Sequence, residues 1–318
     1  MTFILRIKMF FVLMLAFALF YAIASIVSVI FGFYSIAFAV SFACFLLFIQ
    51  YLIGPKIVEL SMGVRYISKE EYPELHEIVE ELARKAKIRK PKVGICNLSI
   101  PNAFAFGRGV GDGRVCVTRG IVELLDREEL KAVLGHEISH LKNRDVIIIT
   151  MLSAIPLICW MIARNSIYVA AFEERPAQAI IIGLAAFIFY LITNLVVLYA
   201  SRIREYYADL GSVKLGNKPS ALASALYKIV YGSARSDESE LRRVEGLKAF
   251  FLNDVSRAYN EITELKQIDM DMSGKIEEDE LAALRSKKIR VGFAERIMEL
   301  LSTHPNTLKR IKFLASLG

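Results

Sequence analysis

Residues 9 to 55 carry no charged side chain. No other feature constrains the fold as strongly. The stretch is too long for the apolar core of a secretory signal, and it holds two helical spans of about 20 residues each. A break near residues 32–35 predicts a hairpin, with spans near 9–30 and 36–53. Two more uncharged runs, 146–163 and 177–201, predict a third and a fourth span. A chain that is 55% hydrophobic is too apolar for a plain soluble domain and suits such a layout. Arg6, Lys8, Lys56, Arg65, Lys142, Arg144, Arg202 and Arg204 fall on one side of the spans, and Arg164 and Arg175 on the other. The lysine and arginine bias then puts both termini and both polar blocks in the cytoplasm of a multi-pass protein in the cell membrane. The expected organisation is a hairpin of two spans over 1–55, half of a cytoplasmic domain over 56–145, spans three and four over 146–201, and the second half of the domain over 202–318.

Composition excludes some functions. The net charge of +7 is accounted for by basic residues flanking the spans. No basic stripe interleaved with aromatics is present, so nucleic acid is not an expected partner. "GRGVGDGR" (107–114) has no GKS or GKT after it and predicts a hairpin tip, not a nucleotide site. The four cysteines form no C-x-x-C. Cys44 and Cys159 fall in apolar runs. Cys96 and Cys116 can meet across adjacent strands, and a cytosolic location predicts free thiols.

The first polar block predicts a helix over 71–88, strands at "KVGICNL" (92–98) and "PNAFAFG" (101–107), and a helix opened by a capping pair, Asp126 and Glu129. That helix carries "GHEISH" (135–140). Positions four apart share a helix face, so His136 and His140 can offer ring nitrogens to one ion. Zinc suits imidazole and takes tetrahedral geometry. Glu137, about 100° around the helix from His136, can take a proton from water at that ion without binding it. Two histidines leave zinc short of protein ligands. "SRIREYYAD" (201–209) supplies Glu205 and Asp209, four apart; Glu205 is read as the third ligand and Asp209 as a hydrogen-bonding support for a ligand histidine. His304, in a loop set by Pro305, can stabilise the oxyanion of a peptide carbonyl. His76, in a charge-rich helix, reads as a solvated residue.

These stretches, taken in order around four spans, closely resemble the HtpX-type membrane zinc proteases, of the gluzincin group and related to the prenyl-protein proteases. The expected fold is therefore mainly α with a small β-sheet: four transmembrane helices plus a cytoplasmic zinc protease domain. The resemblance implies that His136, His140 and Glu205 ligate one Zn2+ and that Glu137 is the general base. It also implies that Asn102, Ala103 and Phe104 belong to an edge strand holding substrate backbone by strand addition. His304 and Arg310 match the family's C-terminal His-Pro…Arg element, with Arg310 expected near substrate. The implied activity is endoproteolysis of misfolded or unassembled membrane proteins, with the lipid bilayer and polypeptide substrates as partners. His140 stands six residues before the third expected span and Glu205 about four after the fourth, which places the metal within roughly 10 Å of the membrane surface.

"DMDMSGKIEEDE" (269–280) has the spacing of an EF-hand loop. Asp269, Asp271 and Ser273 fall at positions 1, 3 and 5, Gly274 at 6, the Lys275 carbonyl at 7 and Glu280 at 12. Calcium or magnesium is the expected ion, and it would order the segment that delivers His304. Two rival readings remain. An intramembrane metalloprotease would bury the motif in an apolar span, whereas here "DREELK" and "LKNRD" flank it. A non-catalytic metal-binding scaffold or sensor has no need of Glu137.

Overall fold

The computed structural model describes residues 48–49, 51–152, 154–172, 176–236, 252, 258–269, 271, 273–287, 289 and 292–318. The first expected span, most of the second, Cys44 and most of the expected connection over 233–246 lie outside the described residues. Gly54–Val146 and Arg204–Gly318 form one compact unit, and Ile147–Ile203 belong to the other.

Helix α1 (51–61), which enters the first unit at Gly54, leads into strand β1 (Arg65–Tyr66), helix α2 (Pro73–Ala86) and strand β2 (Lys92–Cys96). Strands β3 (Ala103–Gly107) and β4 (Gly113–Thr118) follow, then α3 (Arg119–Leu124) and α4 (Arg127–Lys142). The sheet order is β1-β2-β4-β3, with β2 and β4 parallel and the other pairs antiparallel. Among the described strands β3 lies at the end of this order. Cys96 and Cys116 are buried free thiols on the neighbouring strands β2 and β4. His76 departs from expectation. It is half-buried, with its Nε2 3.0 Å from the Ile67 carbonyl, tying α2 to the end of the β1 segment; a charged face predicts solvent but says nothing of a carbonyl arriving from another segment.

α4 begins where its capping pair stands. The Glu129 backbone donates to the Asp126 carboxylate at 3.0 Å, and the Asp126 backbone donates to Glu129 at 3.0 Å. Glu129 also accepts from Ser224 and from Lys228 of α8 (Pro219–Ala234), both at 2.7 Å, so the cap anchors a second helix. Leu134 and Ile138 of α4 are fully buried, each contributing about 1.5–3 kcal/mol by leaving water. With α2, α8 and β3 packed around it, α4 is a core helix.

In the other unit the uncharged runs are helical. The third is divided between α5 (Asp145–Leu152), whose first two residues belong to the first unit, and α6 (Ala154–Phe172); the fourth lies in α7 (Pro176–Lys214). Among the described helices, Ala177–Lys214 is long and apolar enough to cross a membrane. α7 continues unbroken through Glu205 and Asp209 into the first unit. The C-terminal part adds α9 (Ala258–Leu265), α10 (Glu278–Leu284), α11 (Phe293–Leu300) and α12 (Thr307–Ala315). Among the described residues the fold is mainly helical with a small mixed sheet.

Candidate metal centre

His136 and His140 lie one turn apart on α4, and Glu205 approaches them from α7. One donor atom from each of the three falls within 4.8 Å of the others. The two Nε2 atoms face each other at 3.0 Å. Glu205 sets one oxygen 3.5 Å from the Nε2 of His136 and the other 3.4 Å from that of His140.

The opposite edges of the rings explain this orientation. Nδ1 of His136 is 2.9 Å from Asp209, and Nδ1 of His140 is 2.6 Å from Asp145. A carboxylate accepts only, so each Nδ1 carries a proton, and in the neutral ring that binds a metal the lone pair is then on Nε2. Two lone pairs and a carboxylate then converge on one point. That donor set suits a cation: tetrahedral zinc with ordinary Zn–N bonds sets its nitrogens about 3.3 Å apart. The residues present therefore fit zinc.

Asp209 is fully buried, and Arg310 of α12 is 1% exposed. Arg310 donates to both Asp209 oxygens at 3.0 and 2.7 Å, to the Leu252 carbonyl at 2.9 Å, and lies 3.2 Å from Glu205. The sequence reading expects Arg310 near substrate. The structure instead puts its guanidinium on the carboxylates behind the site. Asn102 is likewise fully buried. Its side chain accepts from the Leu252 backbone at 3.0 Å, and its backbone pairs with Thr118. Leu252 thus bridges Asn102 and Arg310, while Ala103 and Phe104 continue as buried residues of β3.

Glu137, on the same turn as His136, is 4% exposed, and burial pushes its carboxyl above the ordinary range. His304 is 8% exposed in the loop between α11 and α12. The sequence reading gives Asp145 and Arg204 no role at the site; they pair with one another beside His140. Their one signal was position: Asp145 directly precedes one uncharged run, and Arg204 stands three residues after the end of another.

The EF-hand-like loop brings Asp269, Asp271 and Glu280 into a second group of converging carboxylates. Gly274 at its sixth position has φ +78°, the left-handed turn that glycine tolerates. The Ser273 backbone donates to Asp269 and Asp271 at 3.1 and 2.9 Å, and the Lys275 carbonyl accepts from the Ser273 hydroxyl at 3.3 Å.

Residues 69–317 match the family model for peptidase family M48. A "Protease HtpX homolog" of Methanothermobacter thermautotrophicus is 53% identical over 229 residues, 72% of this chain and 87% of that one. Another, from Aquifex aeolicus, is 38% identical over 290 residues, 88% and 83% of the two chains. The crystal structure of S. mikatae Ste24p aligns with a TM-score of 0.52 at 18% identity, covering 98% of this chain and 66% of that one, a likeness of fold.

Proposed function

The chain belongs to peptidase family M48 and is a metalloprotease, and from that premise we propose that it is a membrane-anchored zinc endopeptidase whose centre is His136, His140 and Glu205. The observation that carries this reading is the convergence of two Nε2 atoms and a carboxylate on one point, with both Nδ1 atoms engaged by carboxylates. Zinc bound there supplies Lewis acidity, polarising the scissile carbonyl and making water acidic enough to yield its proton near neutral pH.

Glu137 takes the proton from the attacking water and returns it to the departing amine. Its burial favours this, since a base works best with a pKa drawn toward the working pH. His304, from the loop before α12, donates to the oxyanion that forms on the carbonyl. Arg310 acts through Asp209 and Glu205, keeping both ionised and aimed. β3 holds an extended substrate by strand addition, with Ala103 and Phe104 beside the peptide and Asn102 anchoring the strand's start. Extended backbone is what misfolded or unassembled membrane proteins present, so these are the proposed substrates. No nucleotide or nucleic acid takes part. The proposed layout keeps four spans over 1–55 and 146–201 and a cytoplasmic catalytic domain built from 56–145 and 202–318.

Glu137→Gln tests the reading. The variant is expected to keep one zinc per chain and to lose cleavage of an unfolded casein-type substrate by about 100-fold or more. A wild-type chain purified without zinc, or a Glu137→Gln chain that still digests casein, contradicts it.

A second ion is proposed at Asp269, Asp271 and Glu280, with Ser273 and the Lys275 carbonyl completing the loop. The three converging carboxylates support it, and calcium, which accepts six to eight oxygens, suits it better than magnesium.

A further inference from the structure

We infer that Asp145 and Arg204 form a clamp that positions His140 for the metal and sets the register of Glu205 against it. This rests on the zinc reading above. Asp145 reaches Nδ1 of His140 at 2.6 Å with one oxygen and pairs with Arg204 through the other. The same arginine nitrogen donates to the Asn143 carbonyl at 3.2 Å, fixing it to the end of α4. Asp145 is 6% exposed and Arg204 7%.

The backbone is bent to make this contact. A residue five places on along a continuing helix lies roughly 140° around from His140 and cannot return to it. α4 stops at Lys142, and Arg144 takes φ +58°, a left-handed conformation that a non-glycine residue adopts at a cost. That turn brings Asp145 back onto the ring. An acid opening a helix is most often a cap, but here both carboxylate oxygens face His140 and Arg204.

Arg204 and Glu205 are consecutive on α7, and they address opposite edges of one imidazole. Glu205 stands 3.4 Å from Nε2, and Arg204 holds the carboxylate at Nδ1. Sliding or rotating α7 against α4 therefore disturbs the third ligand and the support of the second together. Arg310 serves Asp209 and His136 in the same manner. Each ligand histidine thus has a carboxylate behind it, and each carboxylate has an arginine. Such partners hold the tautomer and raise the ligand's basicity, and losing one weakens metal binding by about 10- to 100-fold.

The test uses the full-length chain in detergent micelles. Zinc affinity is measured by competition with a chromophoric chelator, and cobalt-substituted protein gives the ligand field from its visible bands. Asp145→Asn and Arg204→Gln are each expected to weaken zinc binding about 10- to 100-fold and shift the cobalt bands, with Arg204→Lys recovering part of the loss. The double variant is expected to lose no more than the worse single one, because the two residues act as a unit. If Asp145→Asn misfolds, Asp145→Glu keeps the charge for Arg204 while displacing the carboxylate from Nδ1, and it too should shift the bands. A folded Asp145→Asn or Asp145→Glu chain with wild-type affinity and unchanged bands overturns the clamp while leaving the centre standing. A wild-type chain that takes up no zinc overturns both.

Discussion

Gly211 of α7 lies so close to Ser139 of α4 that a β-carbon added to the glycine would stand 1.9 Å from the serine hydroxyl. The contact falls within one turn of His140 on one helix and of Asp209 on the other, so the distance between the two halves of the metal centre depends on it. Gly211→Val is expected to force the helices apart, costing about 1–3 kcal/mol of overpacking strain and weakening zinc binding. Gly211→Ala should do the same to a smaller degree. Chelator competition and thermal melting measure both, and unchanged zinc affinity in Gly211→Val would show that the helix spacing does not set the site.

The buried Asp209–Arg310 pair predicts an asymmetry between variants. Asp209→Ala removes two acceptors from an arginine that is 1% exposed and leaves it only Glu205 and the Leu252 carbonyl, a loss of up to about 3–5 kcal/mol. Asp209→Asn keeps the shape and one acceptor, so it should cost less stability while still reducing zinc affinity. Urea unfolding of the metal-free protein separates the two effects. Equal stability in the two variants would refute the pairing argument.

Glu81 predicts a pH effect away from the site. It bonds Lys85 at 2.7 Å within α2 and Lys131 of α4 at 2.9 Å, and these lysines pull its carboxyl down to about 2. A depressed carboxylate contributes stability that is complete above its unfolded value near 4.5 and lost as pH falls toward about 2. Partly exposed pairs are worth roughly 0–1 kcal/mol, so Lys131→Met should cost that much at neutral pH and distinctly less at pH 2. Chemical unfolding at the two pH values checks the sign; a cost that grows in acid would reverse it.

The loop at 269–280 makes its own prediction. Calcium should raise the melting temperature of the wild-type chain and leave Glu280→Gln unmoved, since the twelfth position supplies the bidentate ligand. A calcium titration that shifts neither protein dismisses the site.

Much of this architecture was legible because it repeats along the chain. Uncharged runs mark apolar helices, and the capping pair Asp126 and Glu129 marks the start of α4. Histidines four apart, with a glutamate beside the first, mark a helix face that can hold an ion. These are local relations, set by helix periodicity and by the need to satisfy terminal backbone donors. Glu205 and Asp209 were legible by the same spacing once the histidines had raised the question.

Other features depend on where distant segments arrive. Nothing in the spacing of Asp145 shows that a left-handed Arg144 turns it back to His140. Nothing in "THPNTLKRI" shows that Arg310 points at Asp209 instead of at substrate, or that Asn102 is occupied with the Leu252 backbone. His76 reads as a surface residue until the Ile67 carbonyl meets it. The sequence alone brought out the helices and the paired histidines with the glutamate beside them, because these follow from relations between near neighbours in the chain. Tertiary structure alone decided which charges stand behind the ligands. A buried charge must find its partner wherever the fold supplies one, and that partner is a hundred residues away for Asp209 and Arg310.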